Sequence, residues 1–396
     1  MTTLRWRGDA PDVAQVVTAT PANVEIGDTF LLSINGKSAS YAAQAATVAD
    51  VVAGLVAAIA ASQDPEWAEV VATDTGTEVT LTAAVPGRPF TVDAQAINGG
   101  AADTQTLTLD EITPSSGPNH WDTPANWSTG SLPAGGDDVY IEDSDVSILY
   151  GLDQSAVALA SLHVPASFTG QIGLAQFNRG GSAAYFEYRD RFLAIGAGEV
   201  HVGQGPGSGS GRVQIDTGSG QAAVTVYASG LSAESNLPAV QWKGTHADNT
   251  LDMLDGTVGV ALAGGEVATI ATLRQSGGQT RCGSGVSLTD VELASDASLE
   301  IQSAVASIRQ SGGLTRIIGT GGAADIELTG GRIEYRSSGT ITSVALRAAD
   351  AVLDFSSDLR PRTVDACTLE KGTVLDPHLT VTWTTGIQPQ QTVQAA

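Results

Sequence analysis

One feature limits the fold of this chain more than any other: a repeat. Ile270 to Arg281 (IATLRQSGGQTR) matches Val305 to Arg316 (VASIRQSGGLTR) at a shift of 35 residues, with eight of twelve positions identical. A weaker copy lies midway, and the apolar anchors Leu273, Val291, Ile308, Ile326 and Val344 recur at intervals of 18, 17, 18 and 18. A unit of ~18 extended residues at about 3.3 Å each traces a path of about 59 Å, one coil of a narrow β-solenoid. Within a copy, a strand such as DIELTG passes through glycine or a small residue into a second strand such as RIEYRS, then into a turn such as SGT. Equivalent positions of stacked coils lie about 4.8 Å apart and form ladders. The sequence therefore predicts a mainly β protein whose residues 138–387 form a parallel β-solenoid, or β-helix, with Leu293, Leu328, Leu346 and Leu369 in one inward column.

The register carries two further expectations. Arg274, Arg281, Arg309 and Arg316 occupy equivalent positions and should form two short ladders on one flank, with Glu292, Glu300, Glu327 and Glu334 between them offsetting like-charge stacking. Cys282 and Cys367 fall five coils apart, a separation of roughly 24 Å from coil spacing alone, so no disulfide should join them. Before residue 260 the repeat is less regular, although Phe192 to Gly230 keeps the alternation of strand and turn.

Residues 1–112 read as a separate α+β module that would serve for docking. Asn35-Gly36 separates two alternating runs within Thr29 to Ala43, the pairing that a type I′ hairpin favours. Thr47 reads as a helix N-cap with Asp50 three residues on, and Val48, Val51, Val52, Leu55 and Ile59 mark one buried helical stripe that should end before Pro65. Strands over Ala68 to Thr73, Glu78 to Ala84 and Phe90 to Gln95 complete the order ββαβββ, one helix on one sheet. Residues 113–137, with four prolines and two tryptophans, read as a linker and solenoid cap without a regular element, Trp121 and Trp127 being the capping residues. The segment Leu375 to Ile387, where Trp383 interrupts the pattern, should close the far end, and residues 388–396 form a polar tail.

Composition narrows the partners. A net charge of −24, with 43 acidic residues against 16 Arg and 3 Lys, opposes surfaces that bind nucleic acid or anionic membrane. No stretch approaches 18 uninterrupted apolar residues, and MTTLRWRGDAPD has no hydrophobic segment behind its arginines, so neither a membrane span nor a secretory signal is expected.

Motifs for chemistry are sparse. Gly203 to Arg212 (GQGPGSGSGR) has the glycine density of a phosphate loop but lacks the strand before it, the helix after it and the Lys-Ser/Thr pair, so it reads as an inter-coil loop. His120, His163, His201, His246 and His378 are scattered without zinc-site spacing. Asp137, Asp138, Glu142, Asp143 and Asp145 offer oxygen ligands for Ca²⁺ without the order of an EF-hand, and read as a solvated strand edge that discourages edge pairing. Arg7-Gly8-Asp9 is a chance tripeptide. Glu300 with Glu334, or Asp350 with Asp354, are the carboxylate pairs that a polysaccharide-cleaving spike would need, but the repeat region is nearly devoid of the aromatics that line sugar grooves. No GxSxG occurs and neither cysteine has a nearby histidine in sequence. No catalytic, cofactor-binding or metal residues are assigned.

From Trp121 to Glu142, the order W, PANW, GSLP, DDVYIE resembles the W…NW…G…P…D-V-x-I lead-in to solenoid coils in bacterial surface proteins and phage structural proteins. Upstream, IGDTFLLSINGKSASYAA, TVADVVAGLVAAIAA and EVTLTAAVPGRPFTV resemble a small module of tailed-bacteriophage structural proteins. The resemblance implies a non-enzymatic virion component on the particle exterior. It would be made in the host cytoplasm and assembled from copies of itself, as trimers, together with major capsid or tail proteins. Capsid decoration is the leading expectation, with a tail fibre or spike, a host-glycan adhesin or a polysaccharide-degrading spike as alternatives.

Overall fold

A computed structural model describes residues 2–176, 188–294 and 296–389. The chain is mainly β, 47% strand and 6% helix, and winds into a parallel β-solenoid of about 12 turns. One inward column follows the whole rod. Leu4, Val139, Leu162, Val200, Val224, Leu251, Leu273, Val291, Ile308, Ile326, Val344, Cys367 and Ile387 are each paired in parallel with the next. All but Ile387 are buried. A second wall stacks Leu193, Ile215, Trp242, Val260, Cys282, Ile301, Ile317 and Tyr335 against it.

The 18-residue count is local. It holds from Leu273 to Val344, while steps of 38 (Leu162 to Val200), 24 (Val200 to Val224), 27 (Val224 to Leu251) and 23 (Val344 to Cys367) precede or follow it. The mean is roughly 20 residues per turn. Strand registers stay continuous because extra residues are expelled into turns, where they leave the backbone ladder intact. The glycine run 203–212 is one such turn: Gly203, Gly205, Gly207 and Gly209 have positive φ, and a Cβ at Gly207 would sit 2.0 Å from the Ala166 carbonyl oxygen.

The N-terminal unit differs from the expected ββαβββ on one sheet. It holds a four-stranded sheet (order Val70–Asp74, Val79–Ala83, Val16–Ala22, Thr106–Thr113) and a three-stranded one (order Lys37–Ala42, Thr29–Ile34, Asp93–Ile97). Val16–Ala22 and Thr106–Thr113 are the additional strands, and the strand expected at Phe90 begins at Asp93, Phe90 itself being buried. The hairpin turns at Asn35 (φ 50°) and Gly36 (φ 72°). The helix Val48–Ala61 is capped by Thr47, whose side chain accepts from the Asp50 N–H, and it buries Val51, Val52, Leu55 and Ile59.

Thr3–Arg5 leaves this unit altogether and pairs in parallel with Asp138–Tyr140, so the α+β unit is an insertion within the first coil of the rod. A charged seam fixes it there. The Glu69 carboxylate takes Arg88 at 2.9 Å, Arg189 at 2.7 Å and the Tyr188 hydroxyl at 2.9 Å, and Arg189 Nε also donates to the Pro89 carbonyl at 2.9 Å.

Residues 113–137 are not wholly irregular, since Pro124–Asn126 forms a short 3₁₀ turn. They close the near end of the solenoid. Trp127 packs edge-on against Trp121 (4.7 Å) and Trp6 (5.2 Å), its Nε1 donating to the Trp121 carbonyl at 2.9 Å. Asn126, fully buried, donates to the carbonyls of Gly117 and His120 and accepts from the Ala10 N–H. The far end is built differently from the expected closure. Thr373–Leu375, Val381–Trp383 and Ile387–Pro389 continue the parallel stack as a last coil, with Trp383 half-buried against Phe355. From residue 390 on, the expected polar tail lies outside the described residues.

Candidate functional site

An in-register parallel stack places every outward residue next to its equivalent in the adjoining coils, so a charge repeated from coil to coil would repel itself at each step. Two outward columns solve this by alternation. In the first, Asp252, Arg274, Glu292, Arg309 and Glu327 are successive partners; Arg274 lies 3.5 Å from Asp252 and 3.3 Å from Glu292, and Glu327 accepts from Arg347 at 2.7 Å. In the second, Arg281, Glu300, Arg316 and Glu334 alternate, with pairs at 3.7 Å (Arg281–Glu300) and 3.1 Å (Arg316–Glu334). The four arginines thus stand two by two in the expected ladders, separated by glutamates; Asp252 was not foreseen as the start of the first. The second column ends on adjacent acids, Glu334 and Asp354, and there Arg332 pairs with both.

The carboxylate pairs considered for hydrolysis are absorbed into this pattern. Glu300 and Glu334 lie two coils apart with Arg316 between them. Asp354 is buried, and although burial alone would raise its pKa, the Ser356 hydroxyl and N–H and the Arg332 guanidinium hold it below the ordinary value. Asp350 is exposed in a turn. The acidic cluster is likewise dispersed: Asp137 accepts from the N–H groups of Thr2 and Ala134, Asp138 from the Ser161 hydroxyl, and Glu142 pairs with Arg5. Among the described residues no group of three or more His, Cys, Asp or Glu is arranged to hold a metal ion.

The first column also borders an open groove of about 840 Å³ lined by Tyr227, Asp252, Leu254, Arg274, Glu292 and Arg309, among others. Beneath it runs the inward column Leu293, Gln310, Leu328, Leu346, Leu369. The four leucines share a column as expected, Leu369 being half-buried, but Gln310 interrupts them and Gln275 precedes them. Both glutamines are buried and turn their amide groups onto backbone: Gln310 Nε2 donates to Gly313 and Arg332 carbonyls, Gln275 Nε2 to those of Gly277, Gly278 and Ser298. The RQSGG motif is therefore a turn clamp, and its Gln was visible in the repeat although its inward direction was not.

Toward the near end the same outward column becomes aromatic. Tyr140, His163 and His201 are successive partners whose rings stack at 4.3 Å and 4.7 Å, with the Arg5 guanidinium 5.1 Å from the Tyr140 ring centre. Two histidines that look scattered in sequence are thus brought together by a 38-residue coil. Cys282 and Cys367 are buried free thiols on different walls, pushed up by burial to about 12 and about 11.

No protein-family model, curated protein or solved structure matches this chain. Among the described residues no helix is long and apolar enough to cross a membrane.

Proposed function

We propose that the chain is a non-enzymatic structural component of a tailed-phage virion, exposed on the particle exterior as a capsid decoration protein. One observation carries the non-catalytic part of this reading: the glutamates of the repeat face are spent on the rod itself, Arg274, Arg309 and Arg316 each lying in register between acids of adjoining coils and Arg281 beside Glu300. A rod of about 12 turns with a compact unit seated in its first coil suits a part that attaches by one end and projects or paves with the other. The virion assignment rests on the sequence resemblance, as do self-association into trimers and contact with major capsid or tail proteins. Purified protein added to particles lacking it, followed by imaging, tests the proposal: copies on capsid faces or vertices support it, and copies along the tail or none bound refute it.

The groove beside the first column favours a second reading, a host-glycan adhesin on a tail fibre or spike, because it offers Tyr227, Leu254 and paired charges on one open face. Saturable binding of cell-surface polysaccharide without shortening would favour that reading; shortening would favour a depolymerase.

A further inference from the structure

The outward column that runs through the groove obeys one rule along its charged half, that no residue stands beside a like charge. Its aromatic half meets the rule only while His163 and His201 are not both charged. The hydrogen bonds fix how. Ser161 Oγ gives its proton to Asp138 Oδ1 at 2.7 Å, so at 3.0 Å from His163 Nε2 it accepts, and His163 carries its proton on Nε2. His201 Nε2 faces the Glu199 carboxylate at 3.2 Å and likewise carries a proton. That leaves the Nδ1 atom of each ring as a bare lone pair, and both Nδ1 atoms are buried without a partner.

We propose that the stacked His163–His201 pair is an acid-sensitive latch on the first coils of the solenoid, closed while His163 is neutral and loosened when acid protonates its Nδ1. A proton there creates a buried N–H with no acceptor, and a second creates stacked imidazolium rings 4.7 Å apart. Asp138 and Glu199 favour a charged ring; Tyr140 stacks on the far side of His163, itself covered by Arg5 at 5.1 Å; Tyr227 tilts onto His201 at 6.1 Å. Glu142 is occupied by Arg5. For His163 the balance is a lowered pKa, set first by burial and then by His201, against Asp138 and Glu199. The sign follows: with the folded value depressed, the stabilisation is present above the ordinary histidine value of about 6.5 and is lost as pH falls through the folded value. The strands affected, Asp138–Tyr140, Asp153–Val164 and Leu193–Val202, are successive parallel partners in the first coils of the rod, the first of them also paired with Thr3–Arg5.

The test uses the full chain. Imidazole proton–carbon NMR followed from pH 8 to pH 4.5 should show His163 titrating below the ordinary value, and His201→Phe, which keeps a ring in the stack, should move the His163 midpoint upward. Thermal unfolding of wild type should lose stability between pH 7 and pH 5, and the His163→Phe/His201→Phe double variant should lose markedly less over the same interval. Limited proteolysis should cut wild type within residues 138–164 or 193–202 faster at pH 5 than at pH 7. An unmoved His163 midpoint in His201→Phe, or the same pH dependence in wild type and double variant, overturns the proposal. Should the double variant fail to fold, the wild-type and single-variant titrations decide alone.

Discussion

Reversing one charge in the second ladder should cost far more than removing it. Arg316 lies between Glu300 and Glu334, 3.1 Å from the latter, and beyond Glu334 stands Asp354. Arg316→Gln deletes two attractions across partly exposed pairs, each worth about 0.2–1 kcal/mol, for a loss of about 1 kcal/mol. Arg316→Glu puts four acids in consecutive coils. At a spacing of about 4.8 Å and an effective dielectric constant between about 40 and 80, each new like-charge neighbour costs about 1–2 kcal/mol. The reversal should therefore destabilise by about 3–5 kcal/mol, some three times the neutral swap. Urea unfolding of the three proteins at low salt measures this, and 1 M NaCl should shrink the gap between the two variants because screening acts on exposed charges. A gap below about 0.5 kcal/mol, or one that salt leaves unchanged, would refute the view that ladder alternation sets the sequence of this face.

Four further outcomes are expected. Leu328→Ala, at a fully buried position of the leucine column, should lower stability by about 2–5 kcal/mol in the same assay. Trp127→Ala should cost about 3–5 kcal/mol and raise hydrogen exchange in residues 138–164 more than in the last coils, because it opens the near-end cap. Thiol-reactive reagent at pH 8 should label neither cysteine in the folded protein and both after unfolding, since burial holds them protonated and out of reach. Asp354→Asn should destabilise at pH 7, with the deficit closing as pH falls below about 3.8; the folded carboxyl is held low, so wild type's advantage exists above the unfolded value and is lost in acid.

What the sequence made legible follows from what repeats. The anchor column and both arginine ladders recur at nearly constant spacing between Leu273 and Val344, so periodicity alone placed them. The cysteines' five-coil separation followed from the same count, and the register Leu273 to Cys367 carries it. His163 and His201 were hidden because the coil between them is 38 residues long, with no period to reveal that they adjoin. Gln310 was hidden for another reason: it occupies a leucine column, and only its amide's bonds to Gly313 and Arg332 carbonyls explain a polar side chain there. In the inserted unit, TLTLDEIT at Thr106–Thr113 alternates plainly and was the available signal for a further strand, whereas Pro21 argued against Val16–Ala22.

Taken column by column, the strongly acidic composition ceases to be a puzzle. A parallel stack turns each residue into a neighbour of its counterparts, so an excess of acid is tolerable only if acids skip coils or meet a cation. The column Asp290, Ser307, Asp325, Ser343 skips with hydroxyls, and the arginine ladders meet cations. Where two acids do adjoin, at Glu334 and Asp354, Arg332 reaches both. Such spacing needs residues that keep their register while turns vary in length, which is why coils of 17 and 38 residues coexist in one rod. The same constraint bears on the stacked histidines: in a column that forbids adjacent like charges, two imidazoles can be neighbours only while they are not both charged, and the column's behaviour in acid becomes theirs.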